Sequence, residues 1–216
     1  QFVKEHPGHT VISYVNTTAA VKAVTDVVVT STNARQIVES FPEDEKIIFG
    51  PDRNLGNYIN SVTGRNMLLW DGACHVHEQF SVEKIVELKQ QHPGAVVLAH
   101  PECKGTVLKL ADVVGSTAAL LKNAVAHPEK EYIVATESGI LHEMQKKCPQ
   151  TKFIPAPPND STCACNECNF MRLNTLEKLY NCLKDESPEI KVDAEIAEKA
   201  VKPIKRMLEI SAKLGL

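Results

Sequence analysis

The sequence predicts an α/β protein built from pseudosymmetric repeated three-layer αβα modules, each with a short parallel sheet between helices. Three observations carry that expectation. The chain matches itself without gaps at an offset of 86 residues, which lays HPGHTVISYVN at 6–16 over HPGAVVLAHPE at 92–102. Within each copy, short apolar runs alternate with stretches of helical period, the pattern of β-α-β units. Polar residues then recur at corresponding strand exits of the two copies, where parallel sheets bind their ligands.

Taken in order, the opening QFVKEHPG reads as the tail of a helix followed by a turn. The first copy continues with the strand of TVISY, a helical stretch, the strand DVVV, a second helix, the strand KIIF, a third helix and a short strand at MLL. In the second copy the same series begins in AVVLAH and runs through DVVG and YIVA to FIP. The offset places TDVVVTS at 25–31 on ADVVGST at 111–117, Ile47 and Ile48 on Ile133 and Val134, Leu55 on Leu141, and MLL at 67–69 on FIP at 153–155. FGPDRNLG and ATESG follow the third strands and read as turn and cap chemistry. The C-terminal DAEIAEKAVKPIKRMLEISAKLGL reads as an amphipathic helix capped by Asp193 and packed on the body despite Pro203. The expected domains are residues 1–80 and residues 81–216, the second carrying a cysteine-rich loop and the C-terminal helices.

The 216 residues, 43% hydrophobic and 24% charged, are enough to bury a real core. A net charge of −3, with Lys and Arg scattered over helical faces, argues against a nucleic-acid partner. The apolar runs are too short to cross a bilayer and no leader opens the sequence, so a cytoplasmic protein without membrane contact is expected. Seven cysteines, an odd number in a chain of this size, favour reduced thiols and metal chemistry over a disulfide framework. A G-x-G-x-x-G after a strand, which a nicotinamide dehydrogenase would need, is absent.

The strand exits give the candidate site. After the first strands come Tyr14, Val15 and Asn16 in one copy and His100, Pro101 and Glu102 in the other; after the second come Ser31 and Thr117. Such side chains can bond carboxylate or phosphate, although Ser, Thr and Asn at strand ends are also ordinary helix caps. Pseudosymmetry brings equivalent strand ends toward a common axis, which predicts a polar pocket between the copies.

The repeat also sorts the cysteines. Cys74 follows the last strand of the first copy, and Cys163, Cys165 and Cys168 follow the last strand of the second. Cys103 falls on Thr17 and has no counterpart, while Cys148 and Cys182 lie in helical stretches and read as packing thiols. Three arrangements are open. A further copy would deliver a third thiol to the axis, leaving one metal position for substrate. A closed zinc site would use Cys163, Cys165 and Cys168 with Cys74, His75 or His77, making the protein a zinc-stapled binding module. A Cys165–Cys168 disulfide would be a redox switch.

Together, YVNTTA, TSTNA, FGPDRNLG, HVH, HPEC, GST, TESG and CNECNFMRLNTLEKLY resemble quinolinate synthase of the bacterial type A family, along essentially the whole chain. The resemblance implies three homologous α/β domains, of which this chain carries the second and third. It implies a [4Fe-4S] cluster held by one cysteine per domain, with Cys74 and Cys168 the metal ligands here and the third in an absent N-terminal domain. The implied reaction condenses iminoaspartate with dihydroxyacetone phosphate to quinolinate, the pyridine precursor of NAD, releasing phosphate and two waters. It also suggests a functional link to the oxidase or dehydrogenase that makes iminoaspartate. Glu102, His100 and Tyr14 are then the acid/base candidates. Tyr14, Val15, Asn16, Ser31, His77, His100, Pro101, Glu102 and Thr117 would line the substrate site, while His75 is expected to be peripheral. The family's C-x-x-C-x-x-C is altered, with Thr162 where a cysteine is usual, and Asn169 replaces a common proline.

Overall fold

A computed structural model describes residues 1–160 and 166–216. After the four-residue helix α1 (Phe2–Glu5), the first module runs β1 (Thr10–Tyr14), α2 (Ala19–Lys22), β2 (Val27–Val29), α3 (Ala34–Glu39), β3 (Ile47–Phe49), α4 (Arg53–Thr63) and β4 (Leu68–Leu69). The second runs α5 (Val82–Gln91), β5 (Val96–Ala99), α6 (Gly105–Leu108), β6 (Val113–Val114), α7 (Thr117–Ala126), β7 (Tyr132–Ala135), α8 (Ile140–Lys147) and β8 (Phe153–Pro155). Two further helices follow, α9 (Leu176–Asp185) and α10 (Ala194–Leu214).

Both sheets are four-stranded and wholly parallel, with orders β2-β1-β3-β4 and β6-β5-β7-β8. The same topology thus occurs twice. Even the bracing repeats: the Val11 N–H donates to Oδ2 of Asp26 at 2.8 Å, and the Val97 N–H donates to Oδ2 of Asp112 at 2.8 Å. Each aspartate sits just before its second strand and returns its own N–H to the carbonyl of the same valine. The 86-residue register holds for the first two strands, since Ile12 pairs with Val27 as Leu98 does with Val113. In the third strand it slips by one. Thr10 pairs with Ile47, whereas the equivalent Val96 pairs with Tyr132, so Ile47 and Ile48 correspond to Tyr132 and Ile133 rather than to Ile133 and Val134. An ungapped comparison of apolar runs cannot register that one-residue difference in the connection. The last strands return to it, with Leu68 and Ile154 equivalent.

The strands are apolar because both faces are covered. In the first module Ile12, Val27, Val29, Ile47 and Phe49 pack against Ile37 and Val38 of α3 and Leu55 and Ile59 of α4. In the second, one face of the sheet packs with Ile85 of α5 and Val107 of α6, and the other with Leu120 of α7 and Met144 of α8. Caps set the helix starts: Asp52, Ser81 and Ser116 accept N–H bonds at the first turns of α4, α5 and α7. Asp193 caps α10, a 21-residue helix that runs on through Pro203. Although it lies last in the chain, α10 packs on the first module, against β2, α2 and α3. The first sheet thus lies before residue 80 and the second after it, while the final helix returns to the first.

Candidate functional site

The carboxyl ends of both sheets face a shared cavity of about 480 Å3. Each strand exit that reaches it contributes a group. Tyr14 and Asn16 follow β1, Asp52 follows β3, and Cys74, His75 and His77 follow β4. From the second module come Glu102 after β5, Glu137 after β7, and Cys168 with Phe170 and Met171 after β8. Cys74 and Cys168, thiols from different modules, thus line one space.

Local structure explains how the Cys74 loop is held. Gly50 leaves β3 at φ +144, with a Cβ excluded by the Trp70 Cβ at 2.7 Å, and the chain then reaches Asp52. One carboxylate oxygen of Asp52 accepts the N–H groups of Asn54 (2.6 Å) and Leu55 (3.0 Å), capping α4. Its other oxygen accepts the Cys74 N–H at 2.6 Å. Asp52 is buried, and burial raises its pKa from the ordinary aspartate value against those N–H bonds. Just beyond, Arg53 reaches Asp71 (2.6 Å) and Glu78 (3.0 Å), while the Asn54 amide donates to Glu78 at 2.6 Å. The loop from Cys74 to Glu78 is thereby fastened at both ends to the start of α4.

His77 and Glu102 meet across the module boundary. Nε2 of His77 is 3.1 Å from the Thr136 hydroxyl. Nδ1 lies 3.1 Å from Oε2 of Glu102 but off the line of a hydrogen bond, so this buried nitrogen has no hydrogen-bond partner. His100 stacks on His77 with ring centroids 4.7 Å apart, and its Nδ1 is 3.8 Å from the Glu102 carboxylate. Burial alone would depress the His77 pKa, but the Cys74 sulfur and the Glu102 carboxylate outweigh it and raise the imidazole to about 9. Burial and the His77 charge together lower His100 to about 4, with Glu102 acting in the opposite direction. For Glu102 burial is again the largest influence, yet the two histidines overcome it and hold the carboxyl below its ordinary range. At neutral pH this triad is imidazolium, neutral imidazole and carboxylate. Burial and the Glu102 charge raise the Tyr14 phenol, so it keeps its proton.

Cys168 is placed by other contacts. Its N–H donates to Oε1 of Glu137 at 3.3 Å. Two residues earlier, the buried Asn166 donates its side-chain amide to the Ala156 carbonyl at 2.6 Å, and its backbone carbonyl accepts the Ser138 N–H. Phe170 packs edge-on against His75 with centroids 5.2 Å apart, so His75 stands in the cavity wall rather than at the periphery. Cys163 and Cys165 lie outside the described residues.

The remaining sequence candidates are distributed around this space. Ser31 and Pro101 line an adjacent cavity of about 230 Å3 between the modules, together with Tyr58 of α4 and with Gly115 and Ser116. Ser116 rather than Thr117 caps α7, and Thr117 is the first residue of that helix. Val15 follows β1 and donates its N–H to the Val29 carbonyl. His100 sits behind His77 and Glu102 rather than in the cavity wall. Sequence reasoning missed Asp52 and Glu137 as groups at the cavity, and Thr136 as the partner of His77. A signal for the two carboxylates was present, since both follow third strands, but each also reads as an ordinary cap or turn residue.

The family model for NadA, quinolinate synthetase A protein, matches residues 1–209. The chain belongs to the quinolinate synthetase A family. It is 54% identical over 211 residues to a protein named quinolinate synthase from Synechococcus sp., covering 98% of this chain and 66% of that relative. A quinolinate synthase from Chloroherpeton thalassium is 55% identical over 210 residues, covering 97% of this chain and 65% of its own length. One from Thermosynechococcus vestitus is 53% identical, with 97% and 66% covered. The chain therefore spans slightly less than two thirds of the length of these relatives.

The donor set at the cavity suits a metal group. Two thiols reach the space from opposite modules, and thiolates are the ligands that iron–sulfur clusters take. One wall also gathers a thiol, an imidazole and a carboxylate, from Cys74, His77 and Glu102, with ligand atoms within 4.8 Å of one another. Among the described residues no helix is long and apolar enough to cross a membrane.

Proposed function

We propose that the full-length protein is a quinolinate synthase of NAD biosynthesis, joining iminoaspartate and dihydroxyacetone phosphate through one carbon–carbon bond and one carbon–nitrogen bond and releasing phosphate and two waters. The observation that carries this reading is the meeting of Cys74 and Cys168, one from each module, in one cavity with Tyr14, Asn16 and Glu102. Cys74 and Cys168 would hold a [4Fe-4S] cluster, with a third thiolate from outside this chain. Such a cluster with one iron free of protein thiolate supplies a Lewis acid for a substrate oxygen.

The chain's own residues do the rest. Glu102, ionised at the cavity wall, takes a proton from the condensing carbon, and His100, 3.8 Å from its carboxylate, exchanges that proton. The protonated phenol of Tyr14 donates to a departing hydroxyl. The Asn16 amide and His77 orient the substrate, while Pro101 shapes the adjoining cavity and Val15 carries the chain from β1 to Asn16. Ser31 and Thr117 bind carboxylate or phosphate oxygens, Thr117 at the N-terminus of the ten-residue helix α7, where anions are favoured. The partners are these small molecules and, functionally, the oxidase or dehydrogenase that supplies the imine.

The test is product formation. Anaerobically prepared full-length protein is given dihydroxyacetone phosphate and iminoaspartate generated in the assay, and quinolinate is measured by chromatography. Quinolinate forms, and Glu102→Gln lowers kcat by about 10²–10⁴-fold, the worth of a positioned acid/base group. Protein that makes no quinolinate after anaerobic reconstitution with iron and sulfide, and that holds zinc released by Cys168→Ala, would overturn the reading in favour of a zinc-stapled module.

A further inference from the structure

We propose that the corner formed by Cys74, His77 and Glu102 is a mononuclear metal site in its own right, which takes one thiophilic divalent cation such as Zn²⁺ when no cluster occupies the cavity. The site stands on geometry. Its sulfur, nitrogen and oxygen donors lie within 4.8 Å of one another, and tetrahedral zinc needs ligand atoms roughly 3.3–3.6 Å apart, so a pair at that limit closes by about 1.2–1.5 Å when the ion binds. His77 and Glu102 are 6% and 7% exposed, which shields the donors from water.

A nitrogen without an aligned hydrogen bond points to a ligand. Nε2 of His77 is engaged by Thr136 at 3.1 Å, while Nδ1 makes no aligned hydrogen bond and stands 3.1 Å from the Glu102 carboxylate as an ion pair, whose proton a bound cation would displace. A metal-binding histidine uses one ring nitrogen for the ion and fixes the other with a neighbouring group, and Thr136 serves as that group. Cys74 and His77 come from one loop, pinned by the Asp52 and Glu78 bonds, while Glu102 comes from the other module. The cation would bridge the modules, and the fourth position would open to the cavity. A thiolate, an imidazole and one carboxylate suit zinc, cobalt or ferrous iron rather than magnesium or calcium.

Cys168 is not part of this corner. Mononuclear metal and cluster would then draw on different ligand sets that share Cys74, and each excludes the other. This exclusion rests on the reading of Cys74 and Cys168 as cluster thiolates, whereas the mononuclear site does not.

The test uses cluster-free full-length protein under reducing, anaerobic conditions, titrated with Co²⁺ and followed by absorbance. One equivalent binds with a thiolate charge-transfer band and tetrahedral visible bands, and Zn²⁺ displaces it. His77→Ala weakens binding at least tenfold, and Cys74→Ser removes the thiolate band. Cys168→Ala leaves affinity and spectrum unchanged. Cobalt binding unaffected by His77→Ala, or lost in Cys168→Ala, would overturn the site; the latter would mark a cysteine-loop site instead. Circular dichroism of each variant separates lost ligation from lost folding. Where His77→Ala does not fold, His77→Gln takes its place, and unchanged cobalt affinity there also overturns the site. Cluster content of the His77 variant reports on the other reading: it is retained if Cys74 and Cys168 are cluster thiolates, whatever the cobalt result.

Discussion

Asp52 is the structural link between the start of α4 and Cys74, and its replacement gives a quantitative test. Asparagine has one oxygen where aspartate has two. It can cap α4 or accept the Cys74 N–H, but the remaining position becomes an amide donor facing a donor. A hydrogen bond to a charged group is worth about 1.5–3 kcal/mol, and part of that is recovered because the neutral amide escapes the burial that raises the Asp52 pKa. Asp52→Asn should therefore cost about 1–2 kcal/mol. Asp52→Ala also loses the cap, which adds about 0.5–2 kcal/mol, for a total of about 1.5–4 kcal/mol. Urea midpoints of the cluster-free full-length protein measure these costs, and native-state alkylation locates them. Since 1.4 kcal/mol is a factor of ten, Cys74 in Asp52→Asn should react about tenfold faster, while Cys168 keeps its rate. Equal alkylation rates at Cys74 in both variants and the parent would refute the link.

Three other outcomes follow from the same geometry. Gly50→Ala should destabilise by more than about 2 kcal/mol in thermal unfolding, because the position is at φ +144 and a Cβ would meet the Trp70 Cβ at 2.7 Å. Asn166→Ala should cost about 1–3 kcal/mol by leaving the buried Ala156 carbonyl unpaired, and should speed alkylation of Cys168 but not of Cys74. Thr136→Val, which keeps shape but removes the hydroxyl beside Nε2 of His77, should weaken Co²⁺ binding about 10–100-fold while leaving the thermal midpoint within a few degrees.

Much of the fold was legible because its signal is local. The apolar runs are strands buried on both faces, so burial and run length coincide, and the 86-residue repeat carried the strand order of one sheet to the other. Long-range docking was not legible. Nothing in the amphipathic pattern of α10 says that its apolar face covers β2 and α2 of the distant first module, since any sheet of similar shape would satisfy it. The third-strand slip escaped for the same reason: Ile, Ile and Phe match Tyr, Ile and Val in either register.

The site divides along similar lines. Strand-exit logic led to Tyr14, Asn16, Glu102 and Cys74, and the family resemblance singled out Cys168 among the cysteines of its loop; all five reach one cavity. It could not separate Ser31 and Pro101, which line the neighbouring space, nor show that His100 lies behind His77. Asp52 was legible only as a cap, because its second bond spans 22 residues to Cys74 and has no sequence signature.

Thiols from two modules are proposed to serve one iron–sulfur group. Iron and sulfide counting on anaerobically reconstituted full-length protein, beside Cys74→Ala and Cys168→Ala, tests this directly. The parent should carry a full [4Fe-4S] complement and each variant should lose it. A full complement retained in either variant would contradict the account.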